Sequence, residues 1–508
     1  MGEGGVRWRR WGHAVCVVVL VLAGLLLRLS DLEDPPLDFH ATRQLHSAEI
    51  ARGMYYADLE SAPAWQRALA QEGWDLKSVN EPPILETLAV AGYRIVGDEA
   101  LWIPRVLSIG FWALGSLAVY AAARRLVGPV GALAALAYVT FFGFGVVASR
   151  AFMPDPLMVA LMAGSLWLAV GWATESVRGR QWAWAVTAGL VTGLAVLVKP
   201  LSGFMLAPFW VGLSLGTRGW RAVTSGQLYV AAALAALPPL LLYGVAQPGT
   251  TSGQFAGRFY PELWGSADFY AGWGAMVDGV FGTPWLLVAA VGVCLVAHRG
   301  ALASLWGWVV GYVVLGFTVS HHMSTHDYYS LPLAPVVAVG VGAVLAAVAS
   351  LVRRRSATLR VGVALLLALG VAWSATASYR QLMGDDFRGE AARWRALGQI
   401  FDPSDKVTGL LPEYGHPFRY FGWRSFAAWP SVFDRDLMDD EAPGWFESEW
   451  TKRTRGSNYF LITEDERWQL SEQTDLRDHL SEHCALVNDA GTYLLYDLRS
   501  SSCRRPGN

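Results

Sequence analysis

Eleven apolar stretches, each close to the length that crosses a bilayer, set the terms for this chain. They lie near 11–29, 100–122, 127–148, 154–173, 182–198, 201–217, 227–246, 281–297, 302–320, 330–352 and 359–377. About 17–25 apolar residues are needed for a helix to traverse the hydrocarbon core, where no water can satisfy an open backbone. A chain written this way folds as a mostly α, polytopic bundle. Its composition fits: 53% of residues are hydrophobic and 16% charged, against roughly 25% charged in a soluble domain. The formal charge of −2 offers polyanions no attraction, which excludes nucleic acid as a partner. Four cysteines in 508 residues exclude a disulfide scaffold. The first stretch follows Arg7, Arg9 and Arg10, as a signal peptide would. It has no small-residue cleavage pattern and ends in Leu25, Leu26, Leu27 and Arg28, so it reads as a retained span.

Arg and Lys in short turns set orientation. With the N-terminus inside, the turns expected in the cytoplasm carry Arg124 and Arg125, Arg178 and Arg180, Arg218 and Arg221, His298 and Arg299, and Arg353 to Arg355. Every one is basic, and an odd number of spans then puts the C-terminus outside. The expected division is a membrane domain over 1–377, including a first outer loop at 30–99, and an extracytoplasmic α/β domain over 378–508. The predicted location is the plasma membrane, multi-pass, among membrane lipids.

The tail changes character. Phe387–Gly398 reads as an amphipathic helix and Glu464–His479 as helical; Lys406–Leu411, Tyr459–Thr463, Ala485–Asn488 and Thr492–Leu498 read as short strands. Beyond Leu498 the composition suggests disorder. Cys484 and Cys503 either bridge in an oxidising compartment or stay as two free thiols. Cys16 and Cys294, inside spans, read as plain core residues.

Polar residues gather at the outer ends of the spans. Pro35-Pro36-Leu37-Asp38-Phe39-His40-Ala41-Thr42-Arg43, followed by Ala48-Glu49-Ile50-Ala51-Arg52, reads as an amphipathic helix along the outer membrane surface. Asp38 would fall at its start, either as its cap or as a site carboxylate. In Ser149-Arg150-Ala151-Phe152-Met153-Pro154-Asp155-Pro156, Arg150 and Asp155 either pair with each other or serve a site, because ions at the membrane boundary are costly otherwise. Asn80-Glu81-Pro82-Pro83 precedes a weakly apolar segment, and Lys199-Pro200 closes the fifth span. His321-His322-Met323-Ser324-Thr325-His326-Asp327-Tyr328-Tyr329 holds three histidines at spacings that fit no usual zinc framework. A polar site for an anionic group suits it better, with an interfacial His-Tyr belt and a snorkelling lysine as the plainer alternatives.

Asp38 with Thr42-Arg43 and Ala48-Glu49-Ile50-Ala51-Arg52, Asp155-Pro156-Leu157, Lys199 and His326 to Pro335 recur in this order and on one side. In this the chain resembles the GT-C integral-membrane glycosyltransferases, nearest to the protein O-mannosyltransferases and the aminoarabinose transferases that modify lipid A. It departs from them in three places: Phe39 and His40 follow Asp38 where an Asp-Glu pair is common, the Thr42-Arg43 pair is displaced from Asp38 as though residues were inserted, and Glu81-Pro82-Pro83 lacks the lysine of the usual Glu-Lys-Pro.

The resemblance implies transfer of a sugar from a polyprenyl-phosphate donor to a hydroxyl of a protein, lipid or glycan acceptor, with inversion at the anomeric carbon. It makes Asp38 the general base, with Asp155 either assisting it or orienting the acceptor. Arg43, Lys199, His326 and Arg150 are expected at the donor phosphate, and His40, Glu81, Tyr328 and Tyr329 at the substrate. A divalent metal neutralising the phosphate stays open as an alternative. The rival class is a transporter or flippase for a lipid-linked substrate. It would show internal repeats and ionisable groups at mid-membrane; the sequence has no convincing repeat, and its charges sit at span ends.

Overall fold

The computed structural model describes residues 3–76, 81–246, 258–435, 438, 442–489 and 491–504. Asn80 and positions 247–257 of the second long outer segment lie outside them. The chain divides into two compact units. One comprises Met1–Leu32, Val79–Leu85 and Trp102–Asp385; the other comprises Glu33–Ser78, Glu86–Leu101 and Asp386–Asn508. Most of the first outer loop thus folds into the same unit as the tail.

The first unit is a helical bundle, and each of the eleven apolar stretches is helical in it. Helix α1 spans Glu3–Arg28. After the loop helices α2 (Ala41–Ala57), α3 (Ala64–Asp75) and α4 (Ile84–Val96) come α5 (Trp102–Leu126), α6 (Gly128–Phe141) and α7 (Gly143–Ala148). Then follow α8 (Asp155–Thr174), α9 (Arg178–Val198), α10 (Ser202–Arg218) and α11 (Gly226–Pro239). Later members span Thr283–Cys294, Arg299–Thr318, Ala334–Val352 and Ala357–Leu382. Among the described residues, eight helices are long and apolar enough to cross a membrane. Of the other three stretches, α10 has 17 residues. The stretch at 127–148 breaks at Phe142, whose extended backbone (ψ 132°) separates α6 from α7. Thr283–Cys294 meets Ala267–Phe281 at 82° across Gly282, whose φ of 76° suits only glycine.

Close helix packing relies on residues without side-chain bulk. A Cβ on Gly292 would lie 1.8 Å from the Gly340 carbonyl oxygen, so Thr283–Cys294 and Ala334–Val352 touch backbone to backbone. Cys16 and Cys294 are free and exposed, not core residues as expected. A span helix presents apolar side chains to lipid as well as to its neighbours, so an apolar context does not imply burial.

The second unit carries a five-stranded sheet of order β2-β1-β3-β5-β4. Strands β1 (Lys406–Leu410), β3 (Tyr459–Thr463), β4 (Ala485–Asp489) and β5 (Tyr493–Asp497) fall where the sequence placed them. β2 (Ser425–Ala428) was not legible, being four residues ending in two alanines of low strand preference. β1 is parallel to β2 and β3, whereas β5 is antiparallel to β3 and β4. The expected helix at 387–398 forms as Arg388–Gly398. That at 464–479 is divided into Glu464–Glu466, Gln469–Glu472 and Thr474–His483. Trp429, Trp450, Phe460, Leu476 and Leu480 form the core against one face, together with Cys484 and Cys503. These cysteines are disulfide-bonded, with Cα atoms 4.7 Å apart. Past Leu498 the chain is ordered in a short helix, Ser501–Arg504, where disorder was expected.

Candidate active site

In the bundle unit, the turn before α8 brings Asp155 to the first position of that helix, with Pro156 behind it. Proline suits this position because its missing N–H has no intrahelical partner there. Asp155 is buried, and Lys199, just past the end of α9, reaches it from the neighbouring helix. Lys199 Nζ lies 2.9 Å from Oδ1 and 3.0 Å from Oδ2. Both side chains are at most 5% exposed. A buried pair of this kind is stable only when each charge has the other. Asp155 therefore takes Lys199 as its partner, whereas Arg150 donates Nη2 to the Asp31 carbonyl at 2.7 Å.

Aromatic rings close over the lysine. Its Nζ lies 5.0 Å from the Tyr328 ring centroid and 5.5 Å from that of Tyr329, within the range of cation–π attraction. His326 stacks on His322 at 5.1 Å and sits edge-on to Tyr328 at 5.7 Å. Tyr312 pairs with the Ser330 hydroxyl at 2.8 Å and accepts from Trp273, tying this stretch to Arg299–Thr318. Burial holds His321 below its ordinary value and so favours the neutral ring. Arg28, which the sequence showed only as the end of a span, donates Nε to the Ser149 hydroxyl at 2.7 Å beside Arg150. Glu81 lies within electrostatic reach of Tyr243, which donates its hydroxyl to the Leu197 carbonyl at 2.9 Å, two residues before Lys199. From Tyr243 an apolar groove of about 1070 Å³ runs between α9, α10 and α11, past Val196, Trp210 and Ala235 to Trp220.

The sheet-bearing unit holds the remaining candidates. Helix α2 differs from the expected surface helix. Gln44, Leu45, Ala48, Glu49, Ile50, Ala51 and Arg52 are all buried, which covers every face. It can be buried because its charges are met. Glu49 accepts from His416 Nδ1 at 2.8 Å and has Arg419 at 3.5 Å. Arg52 pairs with Glu99 at 3.0 Å and donates to the Tyr420 carbonyl at 2.6 Å. Its guanidinium lies 3.7 Å over the Tyr420 ring and 3.9 Å over that of Trp423. Burial works against the Arg52 charge, but Glu99 and then Tyr420 outweigh it and hold the group above its ordinary value. Burial, reinforced by Glu99, drives the Tyr420 phenol far up and keeps it neutral.

Asp38 is not the cap of α2; the cap position is His40, in the left-handed region (φ 45°, ψ 62°). Gln44 Nε2 donates to Asp38 Oδ1 at 3.3 Å and to the Phe39 carbonyl at 2.6 Å, folding the Asp38 loop onto the first turn. Arg43 lies in that same turn. Thus Asp155, Lys199, Tyr328, Tyr329, His326, Arg150 and Glu81 belong to the bundle unit, and Asp38, His40 and Arg43 to the sheet-bearing unit. Among the described residues, one trio has ligand atoms close enough for a metal: His479, Cys484 and Cys503. Its two sulfurs are spent on the disulfide, so it is not a donor set.

A family model described as dolichyl-phosphate-mannose-protein mannosyltransferase matches residues 80–243. ArnT from Cupriavidus metallidurans, solved with undecaprenyl phosphate, aligns with TM-score 0.60 at 18% identity, over 97% of this chain and 99% of that one. The Archaeoglobus fulgidus oligosaccharyltransferase, solved with a tethered acceptor peptide, aligns with TM-score 0.58 at 12% identity, over 90% and 70%. The mycobacterial arabinofuranosyltransferase AftD aligns with TM-score 0.51 at 16% identity, over 97% of this chain and 42% of that one. No curated protein matches the sequence. The chain is therefore a multi-pass membrane protein with the fold of the GT-C glycosyltransferases. Within that class it resembles the protein O-mannosyltransferases and the aminoarabinose transferases, as its motifs imply.

Proposed function

We propose that this protein is a glycosyltransferase that moves a sugar from a polyprenyl-phosphate donor to an acceptor hydroxyl at the outer face of the plasma membrane. The observation that carries the reading is the buried Lys199, held by Asp155 beneath Tyr328 and Tyr329. A cation kept in an apolar bundle is costly and marks a site for an anion. The groove that begins at Tyr243, which bonds the Leu197 carbonyl two residues before this lysine, has the volume and apolar lining to suit an isoprenoid chain. The ArnT structure contains undecaprenyl phosphate, a carrier of that chemistry.

In the reaction, the acceptor hydroxyl passes its proton to Asp38 as its oxygen bonds to the anomeric carbon. The bond from that carbon to the phosphate oxygen breaks with its electron pair on oxygen. The leaving polyprenyl phosphate gains negative charge, which Lys199, Arg43, Arg150 and His326 are suited to stabilise. Asp155 keeps Lys199 aimed while preventing it from binding the product too tightly. His40, Glu81, Tyr328 and Tyr329 line the substrate. One base and one displacement give inversion. The acceptor is a protein, lipid or glycan hydroxyl.

The test is incubation of the purified protein with a panel of radiolabelled polyprenyl-phosphate sugars, including mannose, arabinose and aminoarabinose. Consumption of one donor is expected. Asp38→Asn should lower transfer by about 10²–10⁴-fold, the usual contribution of a general base, while undecaprenyl phosphate still binds. Full transfer by that variant would remove Asp38 from the role.

A further inference from the structure

Helix α2 begins without a cap of its own. His40 stands at the cap position in the left-handed region, and its side chain makes no cap bond. The cap comes instead from 371 residues away. Glu413 Oε2 accepts the Thr42 backbone N–H at 2.9 Å and also the Thr42 hydroxyl. A carboxylate at the second position of a helix meets both an open donor and the positive end of the dipole.

Glu413 reaches that place from a turn that is expensive to build. Glu413 (φ 55°, ψ 35°) and Tyr414 (φ 55°, ψ 26°) are both left-handed, and Gly415 follows at φ 71°. Left-handed backbone is unfavourable for a residue with a Cβ, which crowds the following carbonyl oxygen. Only the third residue has no alternative to glycine, since a Cβ there would lie 2.2 Å from the Phe426 ring. The turn is fastened from behind: the Tyr414 hydroxyl donates to Asp434 Oδ1 at 3.1 Å, and Ser431 holds the other oxygen of Asp434. Strain of this kind persists where surrounding structure enforces it, and it collects at functional sites.

The same segment grips α2 further along. His416 and Arg419 meet Glu49, and the Tyr420 carbonyl meets Arg52. Glu413 is the member of this series at the Asp38 end. What it fixes is the first turn of α2, and through Gln44 that turn holds the Asp38 loop.

We infer that Glu413 is a positioning residue for sugar transfer: from the sheet-bearing unit it caps α2 and thereby sets the orientation of Asp38, His40 and Arg43. The inference rests on Asp38 being the base, and it makes the tail part of the catalytic apparatus, beyond any part it has in docking an acceptor. Displacing a reacting group by about 1 Å can cost about 100-fold in rate.

The test uses the full-length protein and the donor that it consumes in the panel. Glu413→Ala and Thr42→Val should each lower kcat by about 10- to 100-fold, with KM for the donor and affinity for undecaprenyl phosphate within about twofold. The double variant should be no worse than Glu413→Ala alone, because that variant already removes both bonds to Thr42, of which Thr42→Val removes only the hydroxyl one. Thr42→Ser keeps both bonds and should stay near the parent. Glu413→Gln, which retains an acceptor without the charge, should fall between and serves where the alanine variant fails to fold. Values of kcat within twofold of the parent in Glu413→Gln and Thr42→Val, with Asp38→Asn inactive, would overturn the inference and leave the reading of Asp38 standing. An active Asp38→Asn with the Glu413–Thr42 coupling intact would remove Asp38 as base and leave Glu413 as the residue that orients this loop.

Discussion

The two units use buried ion pairs differently. In the bundle, Asp155 and Lys199 face each other within a predominantly apolar set of helices, with tyrosine rings as the next layer. In the sheet-bearing unit, Arg52–Glu99 and Glu49–His416–Arg419 join α2 to a segment near residue 420, and backbone carbonyls and rings share the load. Taking a pair out of water costs several kcal/mol per ion, and apolar replacements of similar volume are often as stable. A cation retained in the bundle is thus best explained by chemistry. The pairs in the other unit are explained by geometry, since they hold a helix whose first turn binds the loop of the proposed base.

Among the variants that test this contrast, Lys199→Met has the largest expected effect. Transfer should fall by about 10²–10³-fold, as for loss of one preorganised electrostatic contact. Thermal unfolding should show a loss of about 3–5 kcal/mol, because Asp155 is left charged and buried. Adding Asp155→Asn should recover much of the stability and none of the transfer. Recovery of transfer in the double variant would break the contrast between the units.

Arg52→Leu should cost similar stability, about 3 kcal/mol, by stranding Glu99. Its effect on kcat should be smaller, about threefold to tenfold, because Arg52 lies about three turns along α2 from its first residue, Ala41, and further from Asp38. Arg52→Leu with Glu99→Leu should regain stability and most activity. A loss of transfer as deep as that of Lys199→Met would show that this pair also serves the reaction.

The smallest effect is on pH dependence, and His479 of the sheet-bearing unit carries it. His479 is held below its ordinary value of 6.5, by burial first and His483 second, although the Cys503 carbonyl and Glu447 pull the other way. The unfolded chain therefore takes up this proton at higher pH than the folded one. Stability is present above pH 6.5 and drains away as the pH falls through that value. Unfolding temperatures should be lower at about pH 5 than at about pH 7.5. His479→Gln should flatten the dependence.

Much of this was legible from residues in order. The apolar stretches became helices, and four of five strands stood at their expected places, because length and alternation are local properties. Asp155 and Lys199 could be named as charges at span ends, yet nothing in the sequence paired them, and Arg150 was as good a partner on paper. The burial of α2 was hidden because its charges are answered by Glu99, His416 and Arg419, two of them more than 360 residues away. Glu413 gave no signal beyond a Pro-Glu-Tyr-Gly turn in the tail.

The sequence by itself determined that this chain lives in a membrane, where its helices fall along the chain, and which ionisable residues stand at their ends, since each follows from the solvation of a short run of side chains. Only the tertiary structure decided which charges neutralise one another and what caps the helix beside Asp38. Those depend on where distant segments meet, and a few kcal/mol of packing, rather than any local preference, settles it.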